Sequence, residues 1–325
     1  MEPGDVISVA HHESVYFPDG DIVLSALDDK RCKILFRVHK FILSHHSPVF
    51  KGMFTLPQPP TQPPQNSEAQ CGVVQVVDMP DRAEDFASLL SVLYDPSKLP
   101  YKRYNPDTPL LVKGILTLAT KYEIDNLRSR IIEQIKSDWP STLSEWDLIE
   151  SHNKCIQDND HVSDEEIIQL EPGAAIELAR LFDIPSILPA AFLQLCRTKP
   201  LNIWDRAERE SNLHDYCARW DLLSSKDHLH LQHGAHMLLF PIDDALRASS
   251  ACRQRSQCET FLKEEWLPAF YVIAMDRDYF CASMTCASSI SKHHALCAPC
   301  VEEVPERLMK RRGEVWDSLR TWFNL

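Results

Sequence analysis

Two kinds of apolar spacing divide the chain into a short mixed β/α segment followed by helices. Alternating apolar and polar positions predict strands at 21–25 and 32–39, joined as a hairpin, and a third strand at 73–77. Helical spacing predicts two short helices between residues 41 and 54. The remaining helices are predicted at 84–94, 109–122, 125–139, 204–223, 242–272 and 305–325.

These elements predict an α+β protein in four segments. Residues 1–16 are predicted to be a weakly ordered lead, and 17–139 a domain with a small sheet and flanking helices. Residues 140–225 form a helical hairpin region and 226–325 a helical, cysteine-rich region. Within the first domain, the Pro-, Gln- and Ser-rich stretch 55–72 predicts a flexible insertion, because it has too few apolar residues to build a core.

One sequence pattern occurs twice in the helical part of the chain. Residues 118–127 (LATKYEIDNL) and 178–187 (LARLFDIPSI) share their apolar positions and an acidic residue followed by isoleucine. Each copy predicts a helix, a tight corner and a second helix. The repeat therefore predicts stacked helix pairs from about residue 109 to residue 200.

The net charge of the chain and the length of its apolar runs make some classes of function less probable than others. The chain has 325 residues and a net charge of −13, which disfavours general binding to nucleic-acid phosphates. Its short basic run, Lys310-Arg311-Arg312, is interpreted as a solvated helix face. No apolar run is long enough to span a bilayer, and the N-terminal residues do not resemble a signal peptide. The expected location is intracellular, in the cytoplasm, the nucleus or both.

The eleven cysteines are an odd number in a chain expected to be intracellular, so a disulfide framework is not predicted. Two pairs near the end of the chain, Cys281-x4-Cys286 and Cys297-x2-Cys300, have spacing that suits zinc. The alternative is that these are buried thiols that pack between helices as small apolar groups. The His-rich tract 228–236 is predicted to be an exposed loop, although it too could offer metal ligands.

Motifs of catalysis are absent from the sequence. It contains no G-x-S-x-G, no H-E-x-x-H and no glycine-rich phosphate loop. The sequence therefore predicts a non-enzymatic protein and, apart from the candidate zinc ligands, no cofactor.

A nineteen-residue stretch carries the most specific signal. It reads Phe36-Arg-Val-His39-Lys40-Phe-Ile-Leu43, then Ser47 and Phe50-x-x-Met53-Phe54, and it follows Asp21 in the stretch DGDIVLS. This pattern resembles the BTB/POZ domain over about 120 residues. The longer chain resembles the BTB proteins expanded in mushroom-forming fungi, through stretches such as YFPDGDIVL and LARLFDIPSILPAAF.

The resemblance implies a homodimerising protein-interaction domain and an adaptor or scaffold role. It places Asp21 and Lys40 in a charged pocket at the dimer interface, and a partly buried pair of this kind fixes register more than it adds affinity. The pattern also places His39 where the strand ends and the helix begins. The full set predicted for the interface is Asp21, Ile22, Leu24, His39, Lys40, Ile42, Leu43 and His46.

Two alternative functions stay open at this point. Many BTB proteins recruit a cullin-class ubiquitin ligase through a hydrophobic-x-Glu element that follows the second helix. Here that place holds Leu56-Pro-Gln, which departs from the pattern. The C-terminal cysteines suggest instead a zinc-stabilised regulator of transcription. No direct contact with nucleic acid or a membrane is expected.

Overall fold

The computed structural model describes residues 8–56, 74–157, 167–204, 216–238, 242, 244–275 and 278–325. They group into two compact units. The N-terminal unit lies within Met1–Arg103 and Thr108–Ile135, and the C-terminal unit lies within Tyr104–Asp107 and Lys136–Leu325. Apart from its first two residues, the insertion predicted at 55–72 lies outside the described residues.

The N-terminal unit is built on a four-stranded mixed sheet. Its strands are β1 (Val9–Tyr16), β2 (Ile22–Leu27), β3 (Lys33–Val38) and β4 (Gln75–Arg82). The order in the sheet is β1-β3-β2-β4. The predicted hairpin is confirmed, because β2 pairs with β3 antiparallel, while β1 joins β3 and β4 joins β2 in parallel.

Strand β1 was not predicted. Its sequence, VAHHESVY, lacks a regular apolar alternation, and Val15 is its only fully buried side chain among the described positions. A strand at the edge of a sheet needs few apolar side chains, since backbone hydrogen bonds to one neighbour hold it in place. Residues expected to form a weakly ordered lead therefore include an edge strand.

In the described part of this unit, five helices accompany the sheet: α1 (Lys40–His46), α2 (Pro48–Thr55), α3 (Ala83–Tyr94), α4 (Thr108–Lys121) and α5 (Asp125–Asp138). Ser47 separates α1 from α2 because it is extended, with φ −131° and ψ 118°, as favoured before proline. Its hydroxyl accepts a hydrogen bond from the Phe50 backbone N–H at 3.0 Å and donates one to the Tyr122 carbonyl at 2.6 Å. One buried side chain thus caps α2 and joins it to the end of α4.

The core of this unit is aromatic at its centre. The Phe50 and Tyr122 rings stack at 4.4 Å between centroids, and Phe36 meets Phe86 edge-on at 5.6 Å. All three phenylalanines are fully buried. Burying each such ring is worth roughly 1.5–3 kcal/mol relative to exposure, so this cluster is a main source of stability in the unit.

The C-terminal unit is helical in its described residues, with α6 (Leu143–Gln157), α7 (Pro172–Phe182), α8 (Leu188–Arg197), α9 (Ser225–Met237), α10 (Arg255–Phe261), α11 (Leu267–Met275), α12 (Tyr279–Ile290) and α13 (Ala298–Trp322). The helix predicted at 242–272 begins only at Arg255 and contains a π-helical turn at Leu262–Trp266. Of the one predicted at 204–223, residues 205–215 lie outside the described range, and Trp220–Leu222 is a 3₁₀ turn.

The last helix is longer than predicted. Its apolar stripe predicted a helix that begins at Pro305. In the structure α13 begins at Ala298, with Pro299 in its first turn, and Pro305 lies inside the helix. Proline is favoured in the first turn of a helix, and of these two prolines only Pro299 lies in the first turn of α13.

The repeated corner is confirmed in both copies. Glu123 and Asp183 have left-handed backbone angles, with φ 52° and 55°. The next residue is buried in each copy, and its N–H closes the helix end: Ile124 donates to the Ala119 carbonyl at 2.8 Å and Ile184 to Ala179 at 2.9 Å. The first corner belongs to the N-terminal unit and the second to the C-terminal unit.

The His-rich tract predicted as a loop is helix α9. Ser224 and Asp227 form a reciprocal capping box at its start. Its buried residues are Asp227, His230, Leu231 and Gly234, which are spaced as one helical stripe. The prediction was wrong because most of this stripe is polar or lacks a side chain, so apolar periodicity does not reveal it. Among the described residues, no helix combines the length and the apolarity that a membrane crossing requires.

Candidate functional site

Three side chains predicted for the dimer interface are fully buried within the N-terminal unit. Ile22, Leu24 and Leu43 each have 0% exposure. The first two lie on β2, which is flanked by β3 and β4 and is buried on both faces. All three belong to the core of the unit, because a side chain without exposed surface cannot contact a second molecule.

The exposed side of α1 offers a surface instead. Phe41 is 77% exposed, Ile42 is half-buried, and His45 and His46 are exposed. Phe41 and His45 are four residues apart on the helix, and their rings stack at 6.0 Å. We call these four residues the α1 face. Phe41 was not among the residues predicted for the interface. It lies two residues from the buried Leu43, and this spacing directs the two side chains to different sides of the helix.

The charge of the α1 face is set in part by His46. Burial and the neighbouring His45 lower the pKa of the His46 imidazole. Its ordinary value is about 6.5, so this side chain is mainly neutral at pH 7. Phe41 and Ile42 supply the apolar part of the α1 face.

Asp21 and Lys40 are neighbours, but their side chains do different things. The Asp21 carboxylate accepts a hydrogen bond from the Lys40 backbone N–H at 2.7 Å, which caps the start of α1. The Lys40 ammonium instead contacts the Gln75 side-chain carbonyl at 3.3 Å and lies 5.9 Å from the centre of the Phe54 ring. Within one chain, the Asp21 carboxylate thus caps the N-terminus of α1, and the Lys40 ammonium contacts the side-chain amide of Gln75.

His39 has structural partners. Its backbone N–H donates to the Tyr94 hydroxyl at 2.8 Å, and its Nδ1 lies 2.9 Å from the same oxygen. Its Nε2 is 3.3 Å from an Asp19 carboxylate oxygen. Burial raises the pKa of Tyr94, so the hydroxyl keeps its proton and its place in this network. His39 therefore fixes the junction between β3 and α1.

The cysteines in the C-terminal unit group differently from the predicted set. The Sγ atoms of Cys252, Cys258, Cys297 and Cys300 all lie within 4.8 Å of one another. Of the predicted ligands, Cys297 and Cys300 belong to this group. Cys281 and Cys286 lie instead on α12, where Cys281 is exposed and Cys286 is buried. The physical reason is that Cys281 and Cys286 are five residues apart on α12, so their side chains point about 140° apart around the helix. Cys252, in the turn before α10, and Cys258, in α10, supply the other two thiols.

The four clustered thiols influence one another. Burial raises the pKa of Cys258 and of Cys300. Burial acts in the same sense on Cys297, but hydrogen bonds from the Cys300 backbone N–H and from the other three thiols outweigh it and lower the pKa of Cys297. The cluster therefore lowers the pKa of one thiol and raises that of two others.

Buried arginines are the feature that the sequence concealed most completely. Arg312 was interpreted as part of a solvated face, yet it is 1% exposed. Its guanidinium makes a bidentate ion pair with Asp147 on α6, one contact measuring 2.8 Å, and donates to the Phe280 carbonyl at 3.2 Å. Arg197 pairs with Glu150 at 2.6 Å and Asp278 at 2.9 Å. Arg312 lies four residues after Leu308 and three before Val315 in the buried stripe of α13, so its spacing agrees with burial and only its charge pointed to the surface.

Helix α9 contacts the last residues of the chain. His233 Nδ1 lies 2.6 Å from the Trp322 carbonyl oxygen, and His230 Nδ1 makes a short contact with that of Phe323. The Phe323 ring packs so closely on Gly234 that a Cβ there would be 2.0 Å from it. These imidazoles thus dock the end of α13, which accounts for two of the four histidines in the tract without a metal.

Comparison with known protein families identifies the domain formed by the N-terminal elements. Residues 20–138 match the family model described as BTB/POZ domain, so the chain contains a BTB domain. The predicted fold class is confirmed: a small mixed sheet with flanking helices, followed by a mostly helical region. The domain is a protein-interaction domain rather than a catalytic one. No curated protein matches the chain. The likeness to the fungal group stays a prediction.

Proposed function

We propose that the chain is a non-enzymatic adaptor that homodimerises through the α1 face of its BTB domain. The observation that carries this proposal is Phe41, an aromatic side chain that is 77% exposed at the centre of the face. Aromatic residues are enriched at the centres of protein interfaces, where they supply much of the binding energy. Burying this ring against a second copy would contribute roughly 1.5–3 kcal/mol.

Lys40 and Asp21 would fix the alignment of the two copies across this apolar contact. A two-fold interface repeats each contact twice, so the ammonium of each Lys40 can face the Asp21 of the other copy. Asp21 keeps its capping contact through one oxygen, Oδ1, at 2.7 Å from the Lys40 N–H. The pair supports orientation more than affinity, because interfacial ion pairs lose much of their attraction to desolvation.

Sedimentation equilibrium of the full chain tests the proposal. The wild type should be a dimer at micromolar concentration, and Phe41→Asp should raise the dissociation constant at least about tenfold, the loss typical of a central interface residue. Leu111→Asp is the matched control, because Leu111 is a 51% exposed apolar residue on α4 of the same unit. A monomeric wild type, or equal effects of the two variants, would contradict the proposal.

Lys40→Gln isolates the charged contribution. The substitution removes the positive charge but keeps a donor to Gln75 within reach. We expect a dissociation constant a few-fold higher than that of the wild type at low salt and a weaker dependence of dimerisation on salt concentration. An unchanged salt dependence would show that Lys40 makes no charged contact with the second copy and acts only within its own chain.

The two alternative roles stay predictions. The segment expected to contact a cullin begins at Leu56, which is 63% exposed, and its next residues lie outside the described part of the chain. Capture of the full chain by the N-terminal region of a cullin would test that role. For a transcriptional role, affinity purification followed by mass spectrometry would identify the partner of the helical region and the compartment in which it acts.

A further inference from the structure

We infer that Cys252, Cys258, Cys297 and Cys300 form a structural zinc site in the C-terminal unit. All four Sγ atoms lie within 4.8 Å of one another, with Cys252 and Cys297 at 3.4 Å. Tetrahedral zinc with Zn–S bonds of about 2.3 Å requires sulfur atoms about 3.8 Å apart. The observed spacing brackets that distance, so small side-chain movements bring the four sulfurs to one ion.

The chain prepares the site with two local elements. Cys297 is the N-cap of α13 and Cys300 lies in its first turn, where the Cys300 N–H donates to the Cys297 carbonyl at 2.9 Å. A C-x-x-C pair at a helix start directs both thiols to one side. Cys258 comes from α10, and Cys252 from the turn before it, which is held by a hydrogen bond from its N–H to the Ser249 carbonyl at 3.1 Å.

The surroundings suit thiolate ligands. Cys258 and Cys300 are fully buried, while Cys252 and Cys297 are half-buried, so the site is closed on one side and reachable from the other. The Ser249 backbone N–H donates to the Cys300 sulfur at 3.3 Å. Such a donor from the surrounding shell orients a ligand and offsets part of its negative charge.

Four protein sulfurs around one ion define the kind of metal site. Tetrahedral sulfur coordination is typical of zinc or of an iron–sulfur cluster, and a closed set of four ligands leaves no position for a substrate. We therefore assign a structural rather than a catalytic role. Each thiol that binds as a thiolate releases its proton to solvent, so zinc affinity should fall as the pH is lowered.

A disulfide between Cys252 and Cys297 is the main rival. It would use the closest pair of sulfurs, but it requires an S–S bond of about 2.05 Å and an external oxidant. It would also leave Cys258 and Cys300 buried beside it without a role. Zinc accounts for the convergence of all four residues from two chain segments separated by 38 positions.

Metal analysis and cysteine labelling of the wild-type protein test the site without any substitution. Elemental mass spectrometry of protein purified under reducing conditions should find about one zinc ion per chain. Alkylation before and after chelation, followed by peptide mapping, should show these four cysteines gaining reactivity while Cys281 and Cys155 do not change. Absence of zinc, bound iron with sulfide, or a Cys252–Cys297 disulfide in the mapped peptides would each overturn the inference.

A pair of variants then tests the ligand set. Cys252→Ser should lose most of the bound zinc, and Cys281→Ser, at an exposed position on α12, should keep it. Cobalt provides a second readout, because four thiolates give tetrahedral cobalt strong visible absorption that weakens when one sulfur is removed. Zinc retained in full by a folded Cys252→Ser would show that other residues bind it. If that variant does not fold, the chelation mapping on the wild type still decides the question.

Discussion

The two units of the chain bury different kinds of side chain. The N-terminal unit encloses stacked aromatic rings, such as Phe50 on Tyr122. The C-terminal unit also encloses three arginines, Arg197, Arg219 and Arg312, whose side chains are only 1–13% exposed and are paired with carboxylates. An apolar core loses stability in proportion to the volume removed, whereas a buried charge becomes costly when its partner is lost. The two units should therefore respond differently to truncation.

The positions of the tryptophans allow unfolding of the C-terminal unit to be followed separately by fluorescence. All seven lie between residues 139 and 322, in the part of the sequence that belongs to this unit. Tryptophan fluorescence therefore reports its unfolding. Hydrogen exchange measured by mass spectrometry gives the corresponding information for peptides of the N-terminal unit.

Removal of an aromatic ring from the N-terminal core should have the largest effect. Phe50→Ala is expected to lower the free energy of unfolding by about 3–5 kcal/mol, because the ring is fully buried and leaves a cavity against Tyr122. Faster hydrogen exchange in peptides of α2 and α4 would show it. The control is Leu111→Ala, at a 51% exposed position on α4 of the same unit, and similar exchange in both variants would contradict an aromatic core.

Loss of a buried charge in the C-terminal unit should come next. Arg312→Ala is expected to cost about 3 kcal/mol, at the lower end for a broken buried ion pair, because Asp147 is 30% exposed and can regain water. Arg311→Ala is the control, since that side chain is 40% exposed and pairs with Glu314 on the surface. Urea denaturation followed by tryptophan fluorescence should separate the two neighbours.

A double variant sharpens the same point. Arg312→Met combined with Asp147→Leu removes both charges and should recover much of the stability lost in Arg312→Ala. No recovery in the double variant would show that volume, rather than charge, is what Arg312 supplies.

A smaller loss is expected where a polar side chain joins two helices of the N-terminal unit. Ser47→Ala removes the cap of α2 and leaves the Tyr122 carbonyl without its 2.6 Å donor, which should cost about 2 kcal/mol. Ser88→Ala is the comparison, because that exposed hydroxyl donates within its own helix. Equal exchange rates in α2 peptides of the two variants would remove the assigned role of Ser47.

The smallest effect should be a pH dependence in the C-terminal unit. Hydrogen bonds from the Ser141 backbone N–H and hydroxyl and from Thr142 hold the pKa of Glu145 below its ordinary value. Its stabilisation is therefore complete above about pH 4.3, the unfolded value, and is lost as the pH falls through the lower folded value. In Glu145→Gln, the fluorescence-monitored stability should fall less than in the wild type between about pH 5.3 and about pH 3.3, each about one unit from that value. An unchanged slope would contradict it.

Prediction from the sequence succeeded where apolar side chains mark the buried face. The β2–β3 hairpin, helices α1 to α5 and both repeated corners follow from such patterns. The edge strand β1 and helix α9 could not be recognised in this way, because β1 buries almost nothing and α9 buries Asp227, His230 and Gly234. Backbone pairing and polar contacts with distant residues stabilise these two elements.

The candidate sites show the same limit. The segment containing the α1 face was recognised from its motif, but which of its residues are exposed depends on the sheet, and so Ile22 and Leu24 were assigned to a surface. The spacing of Cys297 and Cys300 indicated a pair of ligands. Their partners Cys252 and Cys258 lie about forty residues upstream, and only the fold brings them close.

The corner shared by the two helical hairpins makes them candidates for engineering. Glu123 and Asp183 both hold a left-handed conformation that glycine adopts without strain. Glu123→Gly and Asp183→Gly each remove that strain from the folded hairpin and add conformational freedom to the unfolded chain. The buried isoleucine that follows supplies the anchor in both copies. Exchanging residues 118–127 with residues 178–187 would therefore transfer both the left-handed residue that ends the first helix and the buried isoleucine that follows it.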